Sequence, residues 1–204
     1  RIESHNEYWL ELDATLREQF NVFGAKPEDL KKTKFKSEMK KHFQKAGVPV
    51  VPGAVIKTET DVDQAVEEIG LPLIAKPDNG VGAAATFKLE NQTDVDRFKA
   101  EWDHRTVYFF EKFVTSNEIC TFDGLVDKDG KIVFSTTFDY AHTPLDLMLY
   151  KMDNAYYVLK DMDPKLRKYG EAIVKEFGMK ERFFHIEFFR EGDDYIAIEY
   201  NNRP

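Results

Sequence analysis

The chain has 204 residues, 42% of them hydrophobic, and its 17 Phe and 9 Tyr supply enough bulky apolar material to exclude disorder and to fill one large domain or two small lobes. A formal net charge of −8 argues against a nucleic-acid backbone as main partner, while leaving room for a local basic site that takes an anionic ligand. One cysteine, Cys120, excludes an internal disulfide and suits a reducing cytoplasm, and no apolar run approaches the roughly 20 residues of a membrane span.

In chain order, Ser4 and Glu7 have the spacing of a capping box, and Tyr8, Leu12, Leu16 and Phe20 recur every four residues, predicting a helix with that face inward. Gly24 closes it. A second helix carries Phe35, Met39, Phe43 and Ala46 inward and ends at Gly47; Lys36, Lys40, Lys41 and Lys45 read as its solvated face. Val50 to Ile56 is a strand broken by Pro52-Gly53, and Val62 to Ile69 a helix stopped by Gly70. Leu73 to Pro77 is a short buried strand that carries Lys76. The small-residue run 78–86 follows, then a strand (Phe87, Leu89), a helix (Val95, Phe98, Trp102) and a strand from Val107 to Phe113. The connections are too short and irregular for a doubly wound parallel sheet.

From Glu118 the pattern turns antiparallel. Ile119–Val126 and Ile132–Tyr140 flank an Asp-Gly turn, the signal of a hairpin. Residues 141–161 give no clear pattern. Pro164 opens a final helix that Gly178 caps, and Phe183 to Pro204 reads as a second hairpin around Gly192-Asp193-Asp194. A three-residue loop sets Glu191 opposite Tyr195, Glu187 opposite Glu199 and His185 opposite Asn201. Facing carboxylates repel. A divalent cation bound by hard carboxylate and amide oxygens removes that objection, and Arg203 stands where phosphates carried by the metal could be gripped.

Other residues point the same way. Gly80-Val81-Gly82, followed by three alanines, lets backbone amides approach phosphate oxygens, although it lacks the Gly-Lys-Ser/Thr ending of a Walker loop. Lys76, on an apolar strand just before that run, is costly to bury without an anion, and a phosphate would supply one. Cys120 reads as structural. A plain loop and a solvated lysine face are the alternatives for these segments taken singly.

Together, four segments in order resemble the ATP-grasp superfamily, closest to its carbamoyl-phosphate-synthase-like and biotin-carboxylase-like branch. They are Lys36 on the helix before Ala-Gly-Val-Pro; Lys76 with the loop holding Gly80, Gly82, Ala83 and Ala84; Glu111-Lys112-Phe113-Val114 with Glu118; and Glu187 followed by Glu199, Asn201 and Arg203. The resemblance implies an α+β fold in which two α/β lobes with mainly antiparallel sheets hold ATP between them. It makes residues 1–33 the end of a preceding domain, 34–110 the small lobe and 111–204 the large lobe, truncated at its C-terminal end, so that the chain is a central piece of a longer protein.

By the same resemblance Lys36, Lys76 and the loop bind phosphates, backbone groups of 111–114 read adenine, and Glu118 holds ribose. Glu187, Glu199 and Asn201 bind Mg²⁺ or Mn²⁺, and Arg203 is catalytic. The implied function is a cytoplasmic, ADP-forming carboxylate–amine ligase acting through an acyl-phosphate. Its partners are ATP, a carboxylate and an amine or similar acceptor, with no nucleic acid or membrane; homo-oligomerisation stays open. A nucleotide-binding module without ligase activity and a purely structural domain are the rival readings. The chain departs from the family pattern at Phe35, often aspartate, and in a loop that is alanine-rich and without serines. His185 receives no role.

Overall fold

The computed structural model describes residues 1–80, 85–116, 118–143, 147 and 151–203. The chain divides into two compact units, the first comprising Arg1–Thr33, Glu38–Val50 and Ser116–Pro204, the second Lys34–Ser37 and Val51–Thr115. Residues 1–33, expected as the end of a preceding domain, thus cluster with the C-terminal half, as does 38–50.

The second unit is a four-stranded sheet with two helices. Its strands are β1 (Gly53–Ile56), β2 (Leu73–Pro77), β3 (Phe87–Leu89) and β4 (Tyr108–Lys112), ordered β1-β4-β2-β3 and antiparallel throughout. Helix α4 (Glu59–Ile69) starts at a capping box in which Thr58 accepts from the Asp61 amide, and it ends at Gly70, whose positive φ a side chain would resist. Helix α5 (Gln92–Glu101) is capped by Asn91. Val62 and Ala65 from α4, Val95 and Phe98 from α5, and Leu73, Ala75, Leu89 and Phe110 from the sheet form the core.

The first unit holds α1 (Leu10–Gln19), α2 (Pro27–Lys34, bar its last residue), most of α3 (Lys36–Lys45), the long helix α6 (Pro164–Phe177) and a six-stranded sheet. That sheet comprises β5 (Ile119–Val126), β6 (Ile132–Thr136), β7 (Phe138–Tyr140), β8 (Tyr156–Val158), β9 (Arg182–Glu191) and β10 (Asp194–Asn201). The order is β10-β9-β5-β7-β8, with β6 also paired to β5. Asp163 caps α6, Pro164 occupies its first turn, and Gly178 closes it in the left-handed region. Its apolar face, Leu166, Ile173, Val174 and Phe177, packs on Phe122, Phe184, Ile186, Phe188 and Tyr200 of the sheet. Met39, Phe43 and Val48 complete this core, and Ala197 N–H donates to Pro49 O, covering the outer edge of β10.

Three local expectations give way. A 3₁₀ turn at Glu7–Trp9, capped by Asn6, precedes α1, and Ser4 donates instead to Asp13. The buried face of α1 is Leu10, Asp13, Ala14 and Arg17, while Tyr8, Leu12 and Phe20 are exposed. Arg17 makes the difference: its guanidinium donates to the Ile2 and Ala25 carbonyls, binding the flanking segments to that face. The lysine row is also not uniformly solvated. Lys36 and Lys40 are buried, and the Lys40 ammonium donates to Ala197 O at 2.9 Å.

The terminal hairpin keeps its important pairs by a different route. Its turn has two residues, Gly192 and Asp193, so Asp194 pairs with Glu191 and Tyr195 with Arg190. A bulge between Ala197 and Glu199 then shifts the register by one, and beyond it Glu199 pairs with Glu187 and Asn201 with His185.

Candidate functional site

In the second unit the sequence-predicted cations gather around the end of β2. Lys36 opens α3, where the preceding Phe35 has no side-chain acceptor for the helix amides. Asp78, just past β2, supplies one from 41 residues away: its carboxylate accepts from the Ser37 amide and the Ser37 hydroxyl, both at 2.8 Å. The Lys36 amide bonds Asp78 O at 3.0 Å, and the Lys36 ammonium donates to Gly80 O at 2.8 Å. This side chain is thereby tied to the mouth of the small-residue loop. At the far foot of the loop, the Tyr108 hydroxyl donates to Ala85 O. Gly82, Ala83 and Ala84, the remaining loop residues expected to bind phosphate, lie outside the described residues.

Lys76 forms an ion pair with Glu111. The β2–β4 register puts Ile74 opposite Glu111 and Lys76 opposite Phe109, so the two charges are diagonal neighbours on one face. Glu111 is thus an anionic partner for the partly buried Lys76 ammonium. Beyond Glu111, the Lys112 amide donates to Pro52 O and the Phe113 amide to Pro72 O, while the Lys112 ammonium bonds Gly70 O and Leu71 O. Two amides of the expected adenine segment are thus satisfied within the unit, and Val114 follows them.

In the first unit the chemistry lies on β5, β9 and β10, on the sheet face opposite the aromatic core. Glu187 and Glu199 are cross-strand partners, as are His185 and Asn201. On the other side of β9, Thr121 faces Glu187 and Asp123 faces His185. The His185 ring lies between two carboxylates, with Nδ1 2.6 Å from Asp123 Oδ1 and Nε2 3.1 Å from Glu187 Oε1. Burial alone lowers the proton affinity of the ring. Hydrogen bonds to Asp123 and then Glu187 outweigh it, and the His185 pKa is pushed up to about 9. Thr121 donates to Asp123 Oδ2 and accepts from the Phe138 amide. Tyr140 stands close by; burial, followed by the Glu187 and Asp123 charges, pushes its phenol up.

Beyond Asn201, Arg203 lies 4.0 Å from Glu7, and the Asn201 amide nitrogen donates to Glu7 Oε1 at 2.7 Å in the orientation that satisfies both groups. Glu118 is 3.8 Å from Arg190, with its side chain exposed. Among the described residues no group of three or more His, Cys, Asp or Glu side chains stands at metal-holding distance. The donors that are present, two carboxylates and an amide oxygen on paired strands, are hard oxygens, and in chemistry and number they fit Mg²⁺ or Mn²⁺ bound together with ligand oxygens.

Asp78, Asp123 and Glu7 were not singled out as site residues by sequence, Glu7 being read only as part of a helix cap. Asp123 had a legible signal, since Thr121 and Asp123 alternate on one face of an otherwise apolar strand. A further hint for Asp78 was the helix beginning after Phe35 with no local cap. Glu7 had none.

No family model matches the chain. Over 84 residues, 41% of this chain and 27% of the relative, it is 31% identical to a D-alanine–D-alanine ligase of Acinetobacter baumannii. It is 21% identical over 117 residues to the C-terminal section of the carbamoyl phosphate synthase large chain of Methanopyrus kandleri, covering 55% of this chain and 21% of that one. Its fold superposes on the crystal structure of an L-amino acid ligase from Bacillus licheniformis with a TM-score of 0.76 at 15% identity, over 98% of this chain and 48% of that one. The matched stretches span about a quarter of the curated relatives and about half of the solved structure. None of the described helices is long and apolar enough to cross a membrane. With these two antiparallel α/β units and these likenesses, the chain carries the ATP-grasp fold.

Proposed function

We propose that this chain binds Mg-ATP and supplies the nucleotide-activating part of a cytoplasmic, ADP-forming carboxylate–amine ligase. The observation that carries the reading is the β9–β10 pairing, which sets Glu187 beside Glu199 with Asn201 and Arg203 next along the same strand and its extension. Glu187, Glu199 and Asn201 are the ligands for Mg²⁺ or Mn²⁺, which, when bound, neutralises phosphate charge and holds the transferring group in line. Lys36 and Lys76, with backbone amides of the loop at Gly80, Gly82, Ala83 and Ala84, bind the phosphates. Glu111 keeps the Lys76 ammonium in place through their ion pair. The segment Glu111–Val114 reads adenine through its backbone; because the Lys112 and Phe113 amides are already bonded, the Val114 amide is the donor for the base. Glu118 holds ribose.

Arg203 stabilises charge as the terminal phosphoryl group moves to a substrate carboxylate, giving an acyl-phosphate and ADP. An amine then attacks the acyl carbon, and inorganic phosphate leaves. Support for an amine acceptor comes from the D-alanine–D-alanine ligase and the L-amino acid ligase, whose names describe that class of product.

Calorimetric titration with ADP, with and without Mg²⁺, tests the site on wild type and on a Glu187→Gln/Glu199→Gln variant. Metal-dependent binding that survives the double substitution sinks the assignment of these carboxylates. ADP release from ATP against pools of carboxylates and amines tests the ligase step, and metal-dependent binding with no ADP release for any pair leaves a nucleotide-binding module.

A further inference from the structure

We propose that His185 is a positioning residue that fixes the Glu187 carboxylate for the divalent cation; this rests on the reading above that Glu187 is a ligand of that cation. Thr121 and Asp123 on β5 and His185 and Glu187 on β9 form a two-by-two block of polar side chains, Thr121 facing Glu187 and Asp123 facing His185. Thr121, Asp123 and His185 are all buried, and the Glu187 side chain is only 14% exposed. Four hydrogen-bond contacts run in one sequence into and through the block. The Phe138 amide donates to Thr121 and the Thr121 hydroxyl to Asp123 Oδ2; His185 Nδ1 then meets Asp123 Oδ1, and His185 Nε2 meets Glu187 Oε1. Each ring nitrogen faces a carboxylate oxygen, and the ring can neither flip nor slide without breaking one of these two contacts.

Stability alone is a poor reason for this arrangement. A buried ionic group is commonly replaced by apolar residues without loss of stability, because desolvation consumes most of the Coulombic gain. The block instead supplies direction. A glutamate side chain has several rotatable bonds, and a bond at Oε1 leaves Oε2 to project from a fixed point beside Glu199. Residues that orient a ligand in this way typically contribute 10–100-fold to metal affinity. Asn201, the cross-strand partner of His185, is held in turn by its amide bond to Glu7.

The isosteres of histidine separate this role from packing. Asparagine places its amide nitrogen near the position of Nδ1 and keeps the Asp123 contact; glutamine places its own near Nε2 and keeps the Glu187 contact. Mn²⁺ affinity of the full-length protein with ADP, read by electron paramagnetic resonance of free Mn²⁺, is compared for wild type, His185→Leu, His185→Asn and His185→Gln. ADP binding in EDTA serves as control. The expected result is a 10–100-fold loss of Mn²⁺ affinity for Leu and Asn, recovery to within a few-fold for Gln, and metal-free ADP binding within twofold throughout. Adding His185→Leu to Glu187→Gln should cost no further affinity.

Unchanged Mn²⁺ affinity in His185→Asn, rescue by Asn rather than Gln, or full additivity with Glu187→Gln overturns the inference while leaving the nucleotide site standing. A wild-type protein whose ADP binding is indifferent to Mn²⁺ overturns the site itself. Should His185→Leu not fold, the Asn and Gln pair decides.

Discussion

The remote cap on α3 gives the sharpest energetic test, because the perturbation removes a countable set of bonds. Asp78 is 5% exposed and accepts from the Ser37 amide and the Ser37 hydroxyl, each at 2.8 Å. Truncation to alanine removes the acceptor for a first-turn amide, which costs about 1 kcal/mol. It also strips the partner from a buried hydroxyl, about 1 kcal/mol, and takes a negative charge from a helix N-terminus, about 0.5 kcal/mol. The expected cost of Asp78→Ala is thus about 2–3 kcal/mol, against about 1 for Asp78→Asn, which keeps an acceptor and loses the charge.

Trp102 is the reporter: it is buried in the core of the second unit and its indole donates to Thr106 O. The other tryptophan, Trp9, is half exposed, and Trp9→Phe removes its signal. Urea unfolding followed by Trp102 fluorescence in that background then reads the second unit. Ser37→Ala closes a double-mutant cycle: because the two side chains share the hydroxyl–carboxylate bond, the pair should cost about 1 kcal/mol less than the sum of the singles. An Asp78→Ala cost below about 0.5 kcal/mol, or strict additivity with Ser37→Ala, refutes the argument.

Two further predictions concern the first unit. A Cβ on Gly170 of α6 would sit 2.2 Å from Phe122 Cδ1, and Phe122 is itself buried and stacked on Phe184. Gly170→Ala should therefore cost about 1–3 kcal/mol despite alanine's better helix propensity, and an unchanged or raised Tm contradicts that packing. Burial pushes the Cys120 thiol from its ordinary value up to about 12. Its thiolate fraction at pH 8 then falls about a thousandfold, and iodoacetamide should label it only after urea is added. Because the folded state holds this proton more tightly, the associated stability is complete below the ordinary thiol pKa and is lost as pH rises through about 12.

The parts of the fold legible in sequence were those fixed by local chemistry. The β2 and β5 strands, the start of α6 at Pro164 and the Gly178 stop all follow from short-range apolar runs and caps. Helix α1 was misread because apolar periodicity predicts a face and not what covers it. Two polar side chains, Asp13 and Arg17, are buried there because their hydrogen bonds reach residues 2, 4 and 25, contacts that no helical period encodes. The lysine row of α3 fails for a related reason. Whether Lys40 is solvated depends on the strand beside it, and that strand's carbonyl at Ala197 is what takes its ammonium.

The terminal hairpin shows how a strand pairing can be read correctly from an incorrect loop. A three-residue loop predicts that Glu187 faces Glu199, and that pair is present. The loop has two residues, which by itself would put Glu187 opposite Ile198. The extra residue sits in the bulge instead, and there is a physical reason for it. Tyr195 and Ala197 point into the core, and so does Tyr200, three residues past Ala197, where simple alternation allows only even steps. The bulge lets Tyr200 stack on Phe177 at 4.5 Å and turns Glu199 and Asn201 to the opposite face together. Tyr195-Ile196-Ala197-Ile198 is apolar at every position, so sequence alternation cannot locate the slip. The requirement that does locate it is the aromatic core, and the carboxylate pair is placed as its consequence.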